Sequence, residues 1–229
     1  MVFDLPRFES EPVIGIVRGL NESCLEGVVD AAFNGGLRFL EITLNTPEAF
    51  HLINKISTKY TQLQIGAGTV LSAEKAKKAI DAGAQYIVAP NFDEEVSTFC
   101  AQNKIAYFPG ALTPSEIKKA WDAGATMVKV FPASQMGPDY FKIIKGPFDK
   151  IKLMAVGGVN PRNIKDYLGA GADAVALGGS IFSTQRMANR RFEEIQKDIE
   201  EFMFAVKQFY SKIRVVEQET AKNFGGDGK

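Results

Sequence analysis

Three charged side chains sit within runs of apolar, β-branched residues, where charge is out of place. Lys129 lies in Met127-Val128-Lys129-Val130-Phe131, Glu41 lies in Phe39-Leu40-Glu41-Ile42-Thr43-Leu44, and Arg18 closes the run that starts at Val13. A lysine taken out of water holds its proton less tightly, because burial disfavours the ammonium. The neutral amine can attack a ketone and form a Schiff base, whose positive nitrogen draws electrons from the neighbouring carbon. Imine chemistry also needs a base that moves protons on and off water and the substrate carbon, and a carboxylate such as Glu41 fits that need. The alternative is a buried structural ion pair between Lys129 and Glu41, and the residues alone leave both open. Arg18 suits an ion pair or a carboxylate clamp equally well.

Glycine points to a second kind of chemistry. Ala155-Val156-Gly157-Gly158-Val159-Asn160 and Leu177-Gly178-Gly179-Ser180-Ile181-Phe182 follow the last two apolar runs. Paired glycines let backbone N–H groups approach an anion, and a helix N-terminus adds a favourable dipole. Either pair alone could be a tight turn; two in succession point to a phosphate. Thr69, in Ile65-Gly66-Ala67-Gly68-Thr69-Val70, offers a hydroxyl at a strand end or the start of a helix cap. His51 falls in a helical stretch after Pro47, which predicts a surface or packing role. Trp121 and the phenylalanines at helical spacing are expected in the core or an interface.

These residues are carried by a regular series of elements. Apolar runs begin at Val13, Arg38, Leu63, Gln85, Ile105, Thr126, Lys152 and Ala174, so they recur every 20 to 26 residues. Between them lie segments of helical period, such as Glu22–Asn34 with Leu25, Val28, Val29, Ala32 and Phe33 on one stripe. Thr46-Pro47, Thr113-Pro114 and Asn160-Pro161 each predict a helix cap followed by a first-turn proline. Gly36, Gly83, Gly124 and Gly171 each precede an even-numbered run and are expected to terminate helices in the left-handed conformation. Their separations of 47, 41 and 47 residues describe four units on one plan. Eight strands alternating with helices predict an α/β fold, a (β/α)8 TIM barrel, with a doubly wound open sheet as the competitor. In a barrel, Lys129 and Glu41 reach one central cavity near the C-terminal strand ends, and the two glycine loops occupy the usual phosphate position. Residues 185–213 form an amphipathic stretch expected to close the barrel as one long C-terminal helix. The expected organisation is a single domain over 1–213 and a frayed tail over 214–229.

Composition removes other classes. The 229 residues hold 27 basic and 27 acidic side chains, so no global field attracts nucleic acid or an acidic membrane. One histidine and two cysteines 76 residues apart exclude a Cys/His zinc cluster and fit a reduced, cytoplasmic protein. The first dozen residues lack the apolar stretch of a signal peptide, and no run of about 18 apolar residues predicts a membrane span.

From about Pro12 to Phe182 the chain resembles the KDPG/4-hydroxy-2-oxoglutarate aldolases. The segments that carry the resemblance are PVIGIVRG, FLEITLNTPEAF, IGAGTVL, YIVAPNFDEEV, YFPGALTPSEI, VKVFPA, AVGGVNP and LGGS, in that order. The resemblance implies a class I aldolase on a (β/α)8 barrel, without cofactor or metal, assembled as a homotrimer. Lys129 would be the Schiff-base lysine and Glu41 the general acid/base. Thr69, Pro90 and Phe131 would shape the pyruvyl pocket, and Gly157, Gly158, Gly179 and Ser180 would hold the phosphate. Substrate and products would be a phosphorylated 2-keto-3-deoxy sugar acid, pyruvate and glyceraldehyde 3-phosphate. Asn45 and Val156 depart from the gluconate pattern of arginine and threonine, and with Arg18-Gly19 they look more like the galactonate branch. Asn45 has no charged fork for the pyruvyl carboxylate, so Arg18 is expected to take that role. The other classes open to these residues are a phosphosugar isomerase or epimerase using Glu41 as base, and a non-catalytic phosphosugar-binding barrel.

Overall fold

The computed structural model describes residues 3–224, with side chains through residue 212. Nine parallel strands form one sheet: β1 (Val13–Val17), β2 (Phe39–Thr43), β3 (Gln64–Gly68), β4 (Tyr86–Val88), β5 (Ala106–Phe108), β6 (Gly110–Ala111), β7 (Val128–Val130), β8 (Leu153–Val156) and β9 (Ala174–Leu177). Their order is β5-β4-β3-β2-β1-β9-β8-β7-β6. The two ends of that order flank Pro109, the last residue of the fifth predicted strand (Ile105–Pro109), so that β6 adds a short piece beyond it. Proline has no N–H to give the ladder, so β5 before it pairs with β4 and β6 after it with β7. Bonds from Thr126 N to the Tyr107 carbonyl (2.9 Å) and from Lys129 N to the Pro109 carbonyl (2.8 Å) draw the ring together. The sheet is therefore a nearly closed α/β barrel rather than an open, doubly wound one.

Strand periodicity divides the apolar residues into two cores. Val13, Leu40, Ile87, Leu153, Ala155, Val175 and Leu177 face outward against the helices. Ile14, Phe39, Tyr86, Val88, Phe108, Met154, Val156, Ala174 and Ala176 face the barrel interior. The short helix α1 (Leu5–Ser10) brings Phe8, together with Phe3 just before it, against that inner core. The rings of Phe3, Phe8, Phe39, Tyr86 and Phe108 pack with centroids 5.0 to 5.8 Å apart. This aromatic plug fills the N-terminal end of the barrel.

Helix termination follows the glycine repeat. Gly36, Gly83, Gly124 and Gly171 all have positive φ, between 90° and 105°. After each, the next N–H reaches back to a helical carbonyl, as from Leu37 to Ala32 (3.0 Å) and from Ala84 to Ala79 (2.9 Å), the pattern of a Schellman cap. Lys104 and Arg190 take the same place with φ of 56° and 53°.

Two expectations about helices are corrected. Thr46-Pro47 and Asn160-Pro161 do not cap helices, since α3 (Ala49–Lys59) starts after Glu48 and α9 (Ile164–Gly169) after Asn163. Their side chains have other partners. The Thr46 hydroxyl accepts from Gly19 N (3.0 Å), and the Asn160 side chain accepts from Arg162 N (2.9 Å). Thr113-Pro114 does begin α6 (Pro114–Asp122), with a full capping box to Glu116. The expected long C-terminal helix is present as α11 (Phe192–Phe224), but it starts later than residue 185, after the short helix α10 (Thr184–Ala188) and the left-handed turn at Arg190. Arg186 bonds Asp198 (2.6 Å) across that turn. Helix α11 buries Ile195, Ile199, Phe202 and Val206 and runs past Ile213, through most of the segment expected to fray. Residues 225–229 lie outside the described chain.

Candidate active site

Lys129 is the middle residue of β7 and Glu41 the middle residue of β2. Alternation turns both side chains inward, above the aromatic plug, and both are buried at 7% and 1% exposure. Burial pushes the Glu41 carboxyl up to about 7, against the opposing pull of the Lys129 and Arg18 charges. Burial pushes the Lys129 amine down, with the Glu41 carboxylate opposing that shift and Arg18 adding to it. The two groups act on each other through space, without a direct hydrogen bond among the described residues. The Lys129 Nζ also sits 5.1 Å from the centre of the Phe131 ring.

A cavity of about 470 Å³ opens above this pair at the C-terminal strand ends. Eight residues singled out from the sequence line it together: Arg18, Lys129, Phe131, Val156, Gly157, Gly158, Gly179 and Ser180. Gly157 and Gly158 have φ of 96° and 80°, and a Cβ on Gly158 would meet Ser134 at 2.4 Å. Only glycine meets both conditions. Gly179 differs: a Cβ there would meet open space, so its bareness leaves room in the cavity itself. The backbone N–H groups of Gly158, Gly179 and Ser180 have no partner among the described residues. They leave one end of the cavity rich in free donors.

Four expected site residues stand apart. Glu41 lies beneath the cavity rather than on its surface. Thr69 directly follows β3 at φ 56°, a backbone conformation unusual for a β-branched residue. Pro90 lines a neighbouring cavity of about 360 Å³, which shares Phe131 with the first. Asn45 is exposed in the turn after β2 and lines neither cavity. His51 is exposed and reaches Glu22 at 3.1 Å, a surface role as expected.

A family model described as KDPG and KHG aldolase matches residues 7–198. The chain belongs to the KDPG and KHG aldolase family. It is thereby a lyase, an aldolase that works through a lysine imine. A probable 2-dehydro-3-deoxy-6-phosphogalactonate aldolase of Rhizobium meliloti (strain 1021) is 37% identical over 181 residues, covering 78% of this chain and 84% of the relative. A 2-dehydro-3-deoxy-phosphogluconate aldolase of Pseudomonas aeruginosa is 36% identical over 180 residues, covering 78% and 80%. The crystal structure of KDPG aldolase from Legionella pneumophila, with pyruvate captured at low pH as a covalent carbinolamine intermediate, is similar at a TM-score of 0.79. Its identity is 27%, with 84% of this chain and 94% of that one covered.

Several residues of this aldolase's cavity escape sequence reasoning. Ile16, Ala176 and Phe182 line it as ordinary apolar side chains, with no sign in their type. Asn160 lines it too, and its only signal, a place before proline, pointed to a helix cap. Thr46 is buried and holds the Arg18-Gly19 turn through Gly19 N, while its hydroxyl lies 3.2 Å from that of Thr43. Pairing of Thr46 with Gly19, 27 residues earlier, depends on the barrel bringing strand ends together.

Proposed function

We propose that this aldolase cleaves a 2-dehydro-3-deoxy-6-phospho sugar acid of the gluconate type to pyruvate and D-glyceraldehyde 3-phosphate. The observation that carries the assignment is Lys129, buried with its proton affinity lowered, facing Glu41 below a cavity lined with free backbone donors. The neutral Lys129 amine adds to the C2 ketone and gives a carbinolamine, which loses water to form the iminium. Glu41 takes the C4 hydroxyl proton, directly or through water, as the C3–C4 bond breaks. The bonding pair moves toward the iminium nitrogen and leaves an enamine, and the aldehyde departs. Protonation at C3 and hydrolysis release pyruvate and the free amine. Arg18, exposed and at the rim of the same cavity, faces the substrate carboxylate, with its turn held by Thr46. Gly157, Gly158, Gly179 and Ser180 hold the phosphate through backbone N–H groups. Thr69, Pro90 and Phe131 border the pyruvyl group.

The galactonate epimer is a second substrate, favoured by Val156 in the cavity wall and by Asn45 lying outside it. Val156 offers no hydroxyl to read the configuration of a substrate alcohol. The enzyme works as a homotrimer in the cytoplasm. Its two cysteines are free and buried, and among the described residues no helix is long and apolar enough to cross a membrane.

Incubation with pyruvate and borohydride tests the chemistry. The peptide containing Lys129 should gain the mass of a reduced pyruvyl adduct, and an unmodified Lys129 in a fully active enzyme would refute it. A pyruvate-release assay on the gluconate, galactonate and 4-hydroxy-2-oxoglutarate substrates then ranks them.

A further inference from the structure

The barrel interior holds one polar group that these steps do not use. Tyr86 is fully buried on β4, and its hydroxyl has no hydrogen-bond partner among the described residues. Oε2 of Glu41 is buried and unpartnered in the same way. The two residues stand at one level of the barrel, since register pairs Glu41 with Gly66 on β3 and Gly66 with Tyr86. The Tyr86 ring lies in the space that Gly66 leaves empty. A Cβ added to Gly66 would come 2.4 Å from the ring carbon that carries the hydroxyl. Glu41 extends past the same strand, and a Cβ added to Gly68 would come 2.2 Å from its Oε1. The hydroxyl and the carboxylate therefore reach over neighbouring positions of β3, close enough for the Glu41 charge to bear on the hydroxyl.

Among the described residues neither atom has another hydrogen-bond partner. Phe3, Phe8, Phe39 and Phe108 close the space beneath. The charged and titratable groups that face Glu41 are Lys129 from β7, Arg18 from the end of β1 and Tyr86 from β4. Burial, and secondarily the charge of Glu41, hold the Tyr86 hydroxyl far above its usual range, so it stays a donor at every working pH. Neighbouring buried polar groups that lack protein partners are where proteins retain a water.

We propose that Tyr86 is a positioning residue for Glu41: its hydroxyl donates through one buried water to Oε2 and holds the carboxylate in its ionised form, aimed toward Lys129. This role rests on Glu41 being the proton-moving group of the aldol cleavage. A donor to the ionised form favours that form, so its loss makes Glu41 harder to ionise.

The test is Tyr86→Phe, which keeps the ring in the aromatic plug. The pH profile of kcat for aldol cleavage should move its acid limb upward by about half to one pH unit. At pH 6.5 turnover should drop about three- to tenfold, while pyruvate and borohydride still label Lys129. An unchanged acid limb with a raised thermal midpoint would show a hydroxyl that was merely unpaired, and would overturn the proposal. Glu41→Gln, measured in parallel, separates the two levels. If it abolishes turnover while Tyr86→Phe titrates like the parent, the Tyr86 role alone fails. Near-parental turnover in Glu41→Gln would sink the assignment of Glu41 and the Tyr86 role with it.

Discussion

At the scale of single residues, function rests on charge placed where water is scarce. Burial raises the Glu41 carboxyl to about 7, while Lys129 and Arg18 limit the rise. A general base must be ionised, so turnover should fall tenfold per pH unit as the pH drops below about 7. A kcat profile from pH 5 to 9 checks this, and a flat acid side would exclude Glu41 as the base. The linkage to folding has a definite sign. Between 4.5 and about 7 the folded chain retains a proton that the unfolded chain releases, so the contribution of Glu41 to stability declines as pH rises through that window. Lys129 and Glu41 were legible in the sequence because ionised side chains rarely interrupt a run such as Met127–Phe131. Ile16 and Ala176 were not, because nothing in an apolar residue type distinguishes cavity wall from core. Thr46 was misassigned for a related reason. A Thr-Pro pair commonly opens a helix, and only the folded ring shows Gly19 N waiting for its hydroxyl.

At the scale of elements, strands were easier to locate than the helix ends that serve them. Alternating burial left a clear period, and all eight apolar runs became strands, with the short β6 added after Pro109 beyond the fifth. The four repeated glycines marked helix termini because a left-handed residue without a Cβ is the least strained solution. Lys104 and Arg190 occupy that same conformation and gave no signal, since their type conceals their backbone. Helix α1 was also hidden: six residues with mixed charge have too little period to read. Its contribution is best tested through Phe8, fully buried in the aromatic plug. Phe8→Ala should lower unfolding free energy by about 3–5 kcal/mol, measured by urea denaturation. Because the plug lies at the end of the barrel remote from the cavity mouth, KM should change less than twofold.

At the scale of the whole molecule, zero net charge hides strong local asymmetry. Lys129, Arg18 and unpaired backbone donors gather at one end of the barrel, opposite an aromatic floor. Leu71, Met136 and Ile143 are exposed by 49%, 42% and 69%, and the proposed homotrimer is testable by mass. Sedimentation equilibrium should return three times the 25.0 kDa chain mass, and a monomer at micromolar concentration would exclude the trimer. Barrel closure was only partly foreseeable, because the strand count was readable while the break at Pro109 depends on which neighbour each side finds. That break gives the ring a weak point in time as well as in space. A hoop fastened by a continuous ladder opens everywhere at once, whereas one with an irregular seam, here held by the bonds from Thr126 N and Lys129 N, loosens from the seam outward. Deuterium should therefore enter the amides of residues 105–112 and the facing strands β4 and β7 well before it reaches β1, β2 and β9. Peptide-resolved exchange mass spectrometry can time that order, and simultaneous exchange around the ring would show that the seam is as firm as the rest. The wall carrying Lys129 would then be the one that breathes, and the side from which the barrel begins to unfold.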